Sequence, residues 1–329
     1  MKICVYGAGA VGGSIAAGLA RTGAEVSVIA RAANLAAIRA HGLRVRAPAW
    51  GEIATARVRA EETPSALGPQ DCVIVAVKGH SLREVARDIG PLLGPRTSVV
   101  TALNGVPWWF PHGLEHPVVA SGRLDCLDPE GALALALPVE RIVGCVVYMA
   151  ASTPEPGVVS QNGGRKLVLG RPGGRNDEVP GALARLLADG GFEAQVSPFI
   201  QKECWLKLLG NICFNPASAL TLASSVRMID DPALRGFLVR LMREVIAIGL
   251  AIGIDVAIDP EQRIEMARGM GQGKTSMLQD LEAGKALEID GLLTATLELA
   301  RKSGVDAPFT EGLLGLARVR ARVTGQYAG

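Results

Sequence analysis

The 329-residue chain has no CxxC pair, no block of basic residues, no internal repeat and no low-complexity tail. Each absence removes a class of function. The six cysteines (Cys4, Cys72, Cys126, Cys145, Cys204, Cys213) are scattered, mostly inside apolar runs, and none has a histidine at metal-ligand spacing. They read as buried thiols in a reducing compartment, and no metal is expected. A formal charge of +2, with Lys/Arg and Asp/Glu evenly mixed, leaves no patch for nucleic acid or an anionic membrane. A small molecule is the default partner. The four histidines (His41, His80, His112, His116) all lie in the first half and no GxSxG elbow accompanies them, so Ser-His-Asp hydrolysis has no support.

Membrane insertion is also excluded, although the N-terminus imitates it. Lys2 followed by ICVYGAGAVGGSIAAGLA superficially resembles a secretory signal or a membrane span. Gly7, Gly9, Gly12 and Gly13 would weaken one continuous helix there, whereas a strand, a glycine-rich turn and a helix start account for all of them. No other uncharged apolar run reaches spanning length, so the expectation is a soluble, cytoplasmic protein.

What is present is an alternation of β-rich and helical stretches. KICVYG, a helix through about Arg21, AEVSVIAR and a helix near 33–41 make a βαβ unit. DCVIVAVK (71–78) reads as a buried strand, SLREVARDIGPLL as a helix, and TSVVTALNG (97–105) as a further strand. The stretch 107–140 is irregular, RIVGCVVYMA is β-rich, and 152–175 is rich in turn residues. Beyond about 198 the strands disappear and helices follow, including FLVRLMREVIAIGLAIGI and GLLTATLELARKSG, where Gly304 sits at a helix C-terminus. The chain is long for one hydrophobic core. The expected fold is α/β: an N-terminal Rossmann-type doubly wound parallel sheet over 1–197, then an all-helical domain over 198–329.

Residues 7–12, GAGAVG, satisfy GxGxxG between a β-run and a helix, the context that gives the motif its meaning. Gly7 permits the tight turn, Gly9 lets backbone approach a pyrophosphate, and Gly12 allows helix and strand to pack closely. The backbone of Gly7, Ala8, Gly9, Ala10, Val11 and Gly12 is therefore the candidate phosphate cradle, at a helix N-terminus that favours negative charge. The second β-run ends in IAR, with no carboxylate for an adenosine 2′-hydroxyl and with Arg31 where a 2′-phosphate would lie. NADP(H) is favoured over NAD(H), the bland alternative being an arginine that caps a strand at the surface. Lys78 and Asn104 follow the next two strands, at the edge where such sheets bind ligands, although either could be an ordinary loop residue.

In the second half, WLKLLGNICFN (205–215) is apolar apart from Lys207, Asn211 and Asn215, whose spacing of four puts them on one slanted helical stripe. A lone lysine there would read as a snorkelling residue, but three aligned polar groups bordered by apolar ones point to a stripe facing a cleft. Pro216 disfavours helical geometry at Asn215, so the helix is expected to end or kink there. In TSMLQDLEAGKALEID (275–290), Ser276 and Glu288 are candidates, with bland readings as a helix cap and as a carboxylate favoured by a helix dipole.

Together GAGAVG, Arg31, VKGHSL, LNGVPWW, KLLGNICFN and KTSMLQD…EID resemble, in order and along nearly the whole chain, the ketopantoate reductase family (2-dehydropantoate 2-reductase). The resemblance implies NADPH-dependent reduction of a 2-oxo acid, typically ketopantoate to pantoate on the pantothenate route to coenzyme A. Carried over by position, it implies that Lys207 is the catalytic lysine and Glu288 the acidic partner that orients the substrate hydroxyl. Asn211 and Asn215 match substrate-binding asparagines, Ser276 a carboxylate-binding serine, and Lys78 and Asn104 residues at the nicotinamide end of the cofactor crevice. The chemistry agrees, since an ammonium on Lys207 can stabilise and protonate the alkoxide left by hydride delivery to a ketone.

Three departures bear on the substrate. Gly273 and Ser225 stand where well-known members of the family carry further asparagines, and the segment beginning PWWFPHG is longer than in compact members. The expectation is thus a two-domain NADPH-dependent 2-oxo acid reductase with its site in the groove between domains. A paralogous reductase of another bulky 2-oxo acid is the first alternative, and a non-catalytic NADP(H)-binding sensor the second. A homodimer through helical surfaces is compatible with the second half.

Overall fold

The computed structural model describes residues 1–47, 51–120, 122–175 and 177–327. The chain divides into two compact units, one of Met1–Leu103 with Gly131–Ile200, the other of Asn104–Glu130 with Gln201–Gly329. The irregular stretch 104–130, placed with the N-terminal domain on sequence grounds, thus groups with the helical half.

All the strands of the first unit join one ten-stranded sheet. They are β1 (Lys2–Tyr6), β2 (Glu25–Ile29), β3 (Leu43–Ala47), β4 (Gly51–Ala56), β5 (Arg59–Glu61), β6 (Gln70–Val75), β7 (Leu93–Thr101), β8 (Ile142–Glu155), β9 (Val158–Gly170) and β10 (Glu193–Val196). Their order is β4-β3-β9-β8-β7-β6-β1-β2-β5, with β10 on β9. From β5 through β2, β1, β6 and β7 to β8 every pairing is parallel, the Rossmann part expected from the alternating pattern. The last four residues of β1 and of β2 are buried, as continuous apolar runs in a sheet covered on both faces should be.

Beyond β8 the sheet becomes mixed, because β8 and β9 form a long antiparallel hairpin and β3 pairs antiparallel with β4. The hairpin corrects the reading of 152–175 as mainly turns. Its glycines and polar residues are paired across strands, Ser152 with Ser160 and Ala150 with Gly163, so cross-strand bonding overrides local turn preference. The helices of seven residues or more described in this unit are α1 (Ala10–Ala20), α2 (Ala32–His41), α3 (Leu82–Asp88) and α4 (Glu178–Asp189).

The second unit is built on α5 (Ile200–Thr221), α6 (Ser225–Asp230), α7 (Pro232–Ala251), α8 (Pro260–Met266), α9 (Ser276–Glu282), α10 (Ala295–Ser303) and α11 (Pro308–Val323). A π-helical turn, Asp290–Thr294, leads into α10, and Gly304 follows the end of that helix as the sequence signals. Trp205 of α5 is fully buried, and its indole Nε1 donates to the Val245 carbonyl of α7 at 3.1 Å. Phe110 lies with its ring centroid 5.6 Å from that of Trp205, and Trp108 and Trp109 are buried beside it in sequence. The aromatics of the irregular segment are therefore core residues, and full burial of Phe110 alone is worth roughly 1.5–3 kcal/mol. The segment is further pinned by Glu298, which accepts from the backbone N–H groups of Asp125 and Cys126 at 2.8 and 2.9 Å.

Of the expectation that the helix ends or kinks at Asn215, the ending is overturned. α5 does not end at Asn215 but continues through Pro216 to Thr221. Residues 212–219 are buried, so packing on all sides outweighs the backbone bond that proline forfeits. Among the described residues no helix is long and apolar enough to cross a membrane.

Candidate active site

The glycine-rich turn leaves β1 at Gly7, whose φ of +104° is open to glycine at little cost. A Cβ on Gly7 would lie 2.8 Å from the Ala76 carbonyl oxygen, and one on Gly12 would lie 2.0 Å from the Gly7 oxygen. Beside Gly9 there is nothing within 4 Å of an added Cβ. Two glycines thus serve close backbone packing and the exposed middle one leaves open space. That space faces the first turn of α1, whose N–H groups lack intrahelical acceptors, and it fits the pyrophosphate of a dinucleotide. The turn is fixed from behind by Asn34, which donates to the Ala8 carbonyl and accepts from the Gly157 N–H, both at 2.8 Å.

Arg31 follows β2 and precedes α2, at the place expected for an adenosine ribose. Its guanidinium makes a two-point pair with Glu84 of α3, Nη1 to Oε2 at 2.8 Å and Nη2 to Oε1 at 2.7 Å. Hydrogen bonding from Arg31 holds the Glu84 carboxyl below its ordinary pKa. Tyr6, buried at the end of β1, has its phenol pushed up by burial and by the Asp88 charge, against the opposing effect of Arg31. Lys78 immediately precedes the short 3-10 turn Gly79–Ser81 after β6.

In the second unit the stripe on α5 acquires a partner. Lys207 Nζ donates to Asn104 Oδ1 at 2.6 Å. Asn104 opens a loop held against the residues that follow Glu288: Val106 N–H donates to the Gly291 carbonyl at 2.7 Å. Gly105 has φ +76°, and a Cβ there would lie 2.5 Å from the Gly291 oxygen. No side chain fits between the two backbones. Gly105 and Gly291 are the close-packed positions beside Asn104 that sequence reading missed, and the Asn-Gly pair ending LNG is the signal that could have found the first of them.

Further along α5, Asn211 is half-buried and Asn215 is 8 % exposed. One turn beyond, Ser218 Oγ donates to the Asn215 carbonyl at 2.9 Å and lies 2.5 Å from Thr275 Oγ1. Thr275, not Ser276, caps α9 by accepting from the Leu278 N–H at 3.2 Å. The cap reading of Ser276 is corrected accordingly: the preceding hydroxyl already serves the helix, and Ser276 is an exposed first-turn residue beside the docking point on α5.

Glu288 is half-buried just ahead of the π turn. The stretch carrying it has no regular secondary structure and is braced by the C-terminal residues. Leu287 N–H donates to the Gln326 carbonyl at 3.0 Å, while Gln326 Nε2 donates to the carbonyls of Asp280, Leu281 and Lys285 at 3.0, 3.2 and 2.6 Å. Of the two departures in the helical half, Ser225 is fully buried at the start of α6 and Gly273 is exposed. Among the described residues no cluster of His, Cys, Asp or Glu could hold a metal ion.

A glycine cradle for a dinucleotide on a Rossmann sheet, together with a helical unit that presents a lysine and aligned amides, defines a nicotinamide-dependent oxidoreductase. Comparison with known proteins narrows the class. The family model described as Ketopantoate reductase PanE/ApbA matches residues 3–174, and that of the family's C-terminal domain matches residues 200–321. A 2-dehydropantoate 2-reductase of Mesorhizobium japonicum is 42% identical over 329 residues, covering 100% of both chains. A solved structure from Ralstonia solanacearum MolK2 is 42% identical with a TM-score of 0.93, covering 99% of each chain. A 2-dehydropantoate 2-reductase structure from Geobacter metallireducens is 28% identical with a TM-score of 0.85, covering 97% of this chain and 99% of that one. The chain belongs to the ketopantoate reductase family. It is an oxidoreductase of the NAD(P)H-dependent kind acting on a small keto acid.

Proposed function

We propose that the protein reduces ketopantoate to pantoate with NADPH, in pantothenate biosynthesis. The observation that carries this reading is the Lys207–Asn104 hydrogen bond at 2.6 Å, at the head of a stripe that continues with Asn211 and Asn215. A lysine ammonium has three N–H donors, and engaging one with Asn104 fixes the direction of a side chain that is otherwise flexible.

Bound NADPH supplies the hydride that ends on the carbonyl carbon of the 2-oxo acid. Lys207 then holds the developing negative charge on the carbonyl oxygen and transfers a proton to it, so the carbonyl becomes a hydroxyl. Asn211 and Asn215 orient the substrate through neutral hydrogen bonds, Ser276 takes the carboxylate, and Glu288 accepts from a substrate hydroxyl. The backbone of residues 7–12 would hold the pyrophosphate of NADPH and Arg31 its 2′-phosphate, and Lys78 and Asn104 would serve its nicotinamide end.

Full burial of Ser225 and the absence of a side chain at Gly273 favour a second reading, a reductase of a different bulky 2-oxo acid. Initial rates of NADPH oxidation with ketopantoate, 2-oxoisovalerate and an aryl 2-oxo acid decide between them. Ketopantoate should give the highest kcat/KM, and a clear preference for another acid would replace it as substrate.

A further inference from the structure

The β2 end offers no carboxylate of its own, yet the fold brings one there from α3, 53 residues along the chain. Both oxygens of Glu84 are engaged by the two terminal nitrogens of Arg31, at 2.7 and 2.8 Å. The pair is about half exposed, with side-chain accessibilities of 51% for Arg31 and 45% for Glu84. We propose that Glu84 sets the coenzyme preference: it competes with the 2′-phosphate of NADPH for Arg31 and offers a hydroxyl acceptor to the ribose of NADH, so that both coenzymes are accepted. The proposal rests on the reading of Arg31 as the 2′-phosphate residue and goes beyond it.

The reasoning is electrostatic and geometric. An arginine fork recognises one planar anion at a time, and here the two-point face is already taken. A phosphate dianion entering that face must displace the carboxylate or share the guanidinium with it at the cost of like-charge repulsion. Solvent exposure makes the displacement cheap, since ion pairs of this kind contribute little net stability, and the coenzyme competes on near-equal terms. NADH carries a 2′-hydroxyl in place of the phosphate. It brings no charge against Glu84, and an ionised carboxylate is the acceptor a ribose hydroxyl needs. The other charged groups that act on this cluster are Asp88, beside Tyr6, and Arg87, which also acts on Glu84. Removing the Glu84 charge therefore leaves Arg31 and Arg87 with Asp88 as the remaining acidic group of the cluster.

Dissociation constants of NADPH and NADH, measured by nucleotide fluorescence without substrate, test the proposal in wild type, Glu84→Gln and Arg31→Ala. Glu84→Gln should bind NADPH about three- to tenfold more tightly and NADH several-fold more weakly, shifting the ratio about tenfold or more toward NADPH. Arg31→Ala should lose NADPH selectively. A selective loss in Arg31→Ala with an unchanged ratio in Glu84→Gln, or with weaker NADPH binding there, overturns the role of Glu84 alone. Equal losses of both coenzymes in Arg31→Ala overturn the 2′-phosphate reading and the competition with it. Thermal melts of the three proteins identify any variant whose binding change is a folding defect.

Discussion

Lys207 and Asn104 are 103 residues apart in sequence, and their side chains meet at 2.6 Å within the helical unit. Asn104 reaches that position because the irregular segment it opens is packed into the second unit by Phe110 against Trp205 and by Glu298 on the backbone of Asp125 and Cys126. The aromatic run and the loop thus serve the site indirectly. They hold the acceptor that aims the lysine.

Gly105 is the point at which that arrangement is most sensitive. Gly105→Ala introduces a Cβ at a positive φ and 2.5 Å from the Gly291 oxygen, so the loop must shift. Displacement of Asn104 by about 1 Å should lower kcat by about tenfold to a hundredfold, a larger effect than on NADPH affinity. Steady-state kinetics beside a coenzyme titration check this, and unchanged kcat would remove the loop from the account.

The three glycines of the cradle should separate into two behaviours. Gly9→Ala meets no atom of the protein within 4 Å, so its melting temperature should stay near that of wild type while NADPH binds about tenfold or more weakly. Gly12→Ala places a Cβ 2.0 Å from the Gly7 oxygen and should destabilise the fold by about 1–3 kcal/mol or more. Calorimetry with and without NADPH distinguishes them. Equal stability losses in both variants would contradict the open space assigned to Gly9.

The buried thiols predict a loss of stability in alkali. Burial pushes Cys4 and Cys72 from 9.0 to about 12. Desolvation also raises Cys126 and Cys213. Above pH 9 the unfolded chain releases these protons and the native one does not, so the native state binds more protons and unfolding free energy falls as pH rises. Stability should be unaffected by these groups below pH 9 and decline progressively from there toward about 12. Urea unfolding at a series of pH values measures the decline, and Cys72→Ala should flatten part of it. A curve that is level across that interval would contradict the burial of these thiols in their neutral form.

Much of this was legible in the sequence because it is local. The spacing of Gly7, Gly9 and Gly12 locates the turn between β1 and α1, and the four-residue spacing of Lys207, Asn211 and Asn215 locates all three on one helix. What depends on distant pairing was not legible. Nothing near Arg31 announces that Glu84 of another helix will bind it, and nothing in the turn-rich stretch 152–175 announces a partner strand long enough to extend it. Pro216 does not end its helix because its local preference is overridden by burial on all sides. Only the alternative reading of Ser276 as a helix cap was off by one position, since Thr275 and Ser276 are both capable caps and only the fold decides which hydroxyl meets the Leu278 N–H.

The most direct test of the central claim is the turnover of Lys207→Ala with ketopantoate, measured beside its NADPH dissociation constant and compared with wild type. If the ammonium aimed by Asn104 protonates the alkoxide, kcat should fall by about two or more orders of magnitude while NADPH affinity stays near the wild-type value. Turnover comparable to wild type would show that the proton comes from another group and that the Lys207–Asn104 pair is structural.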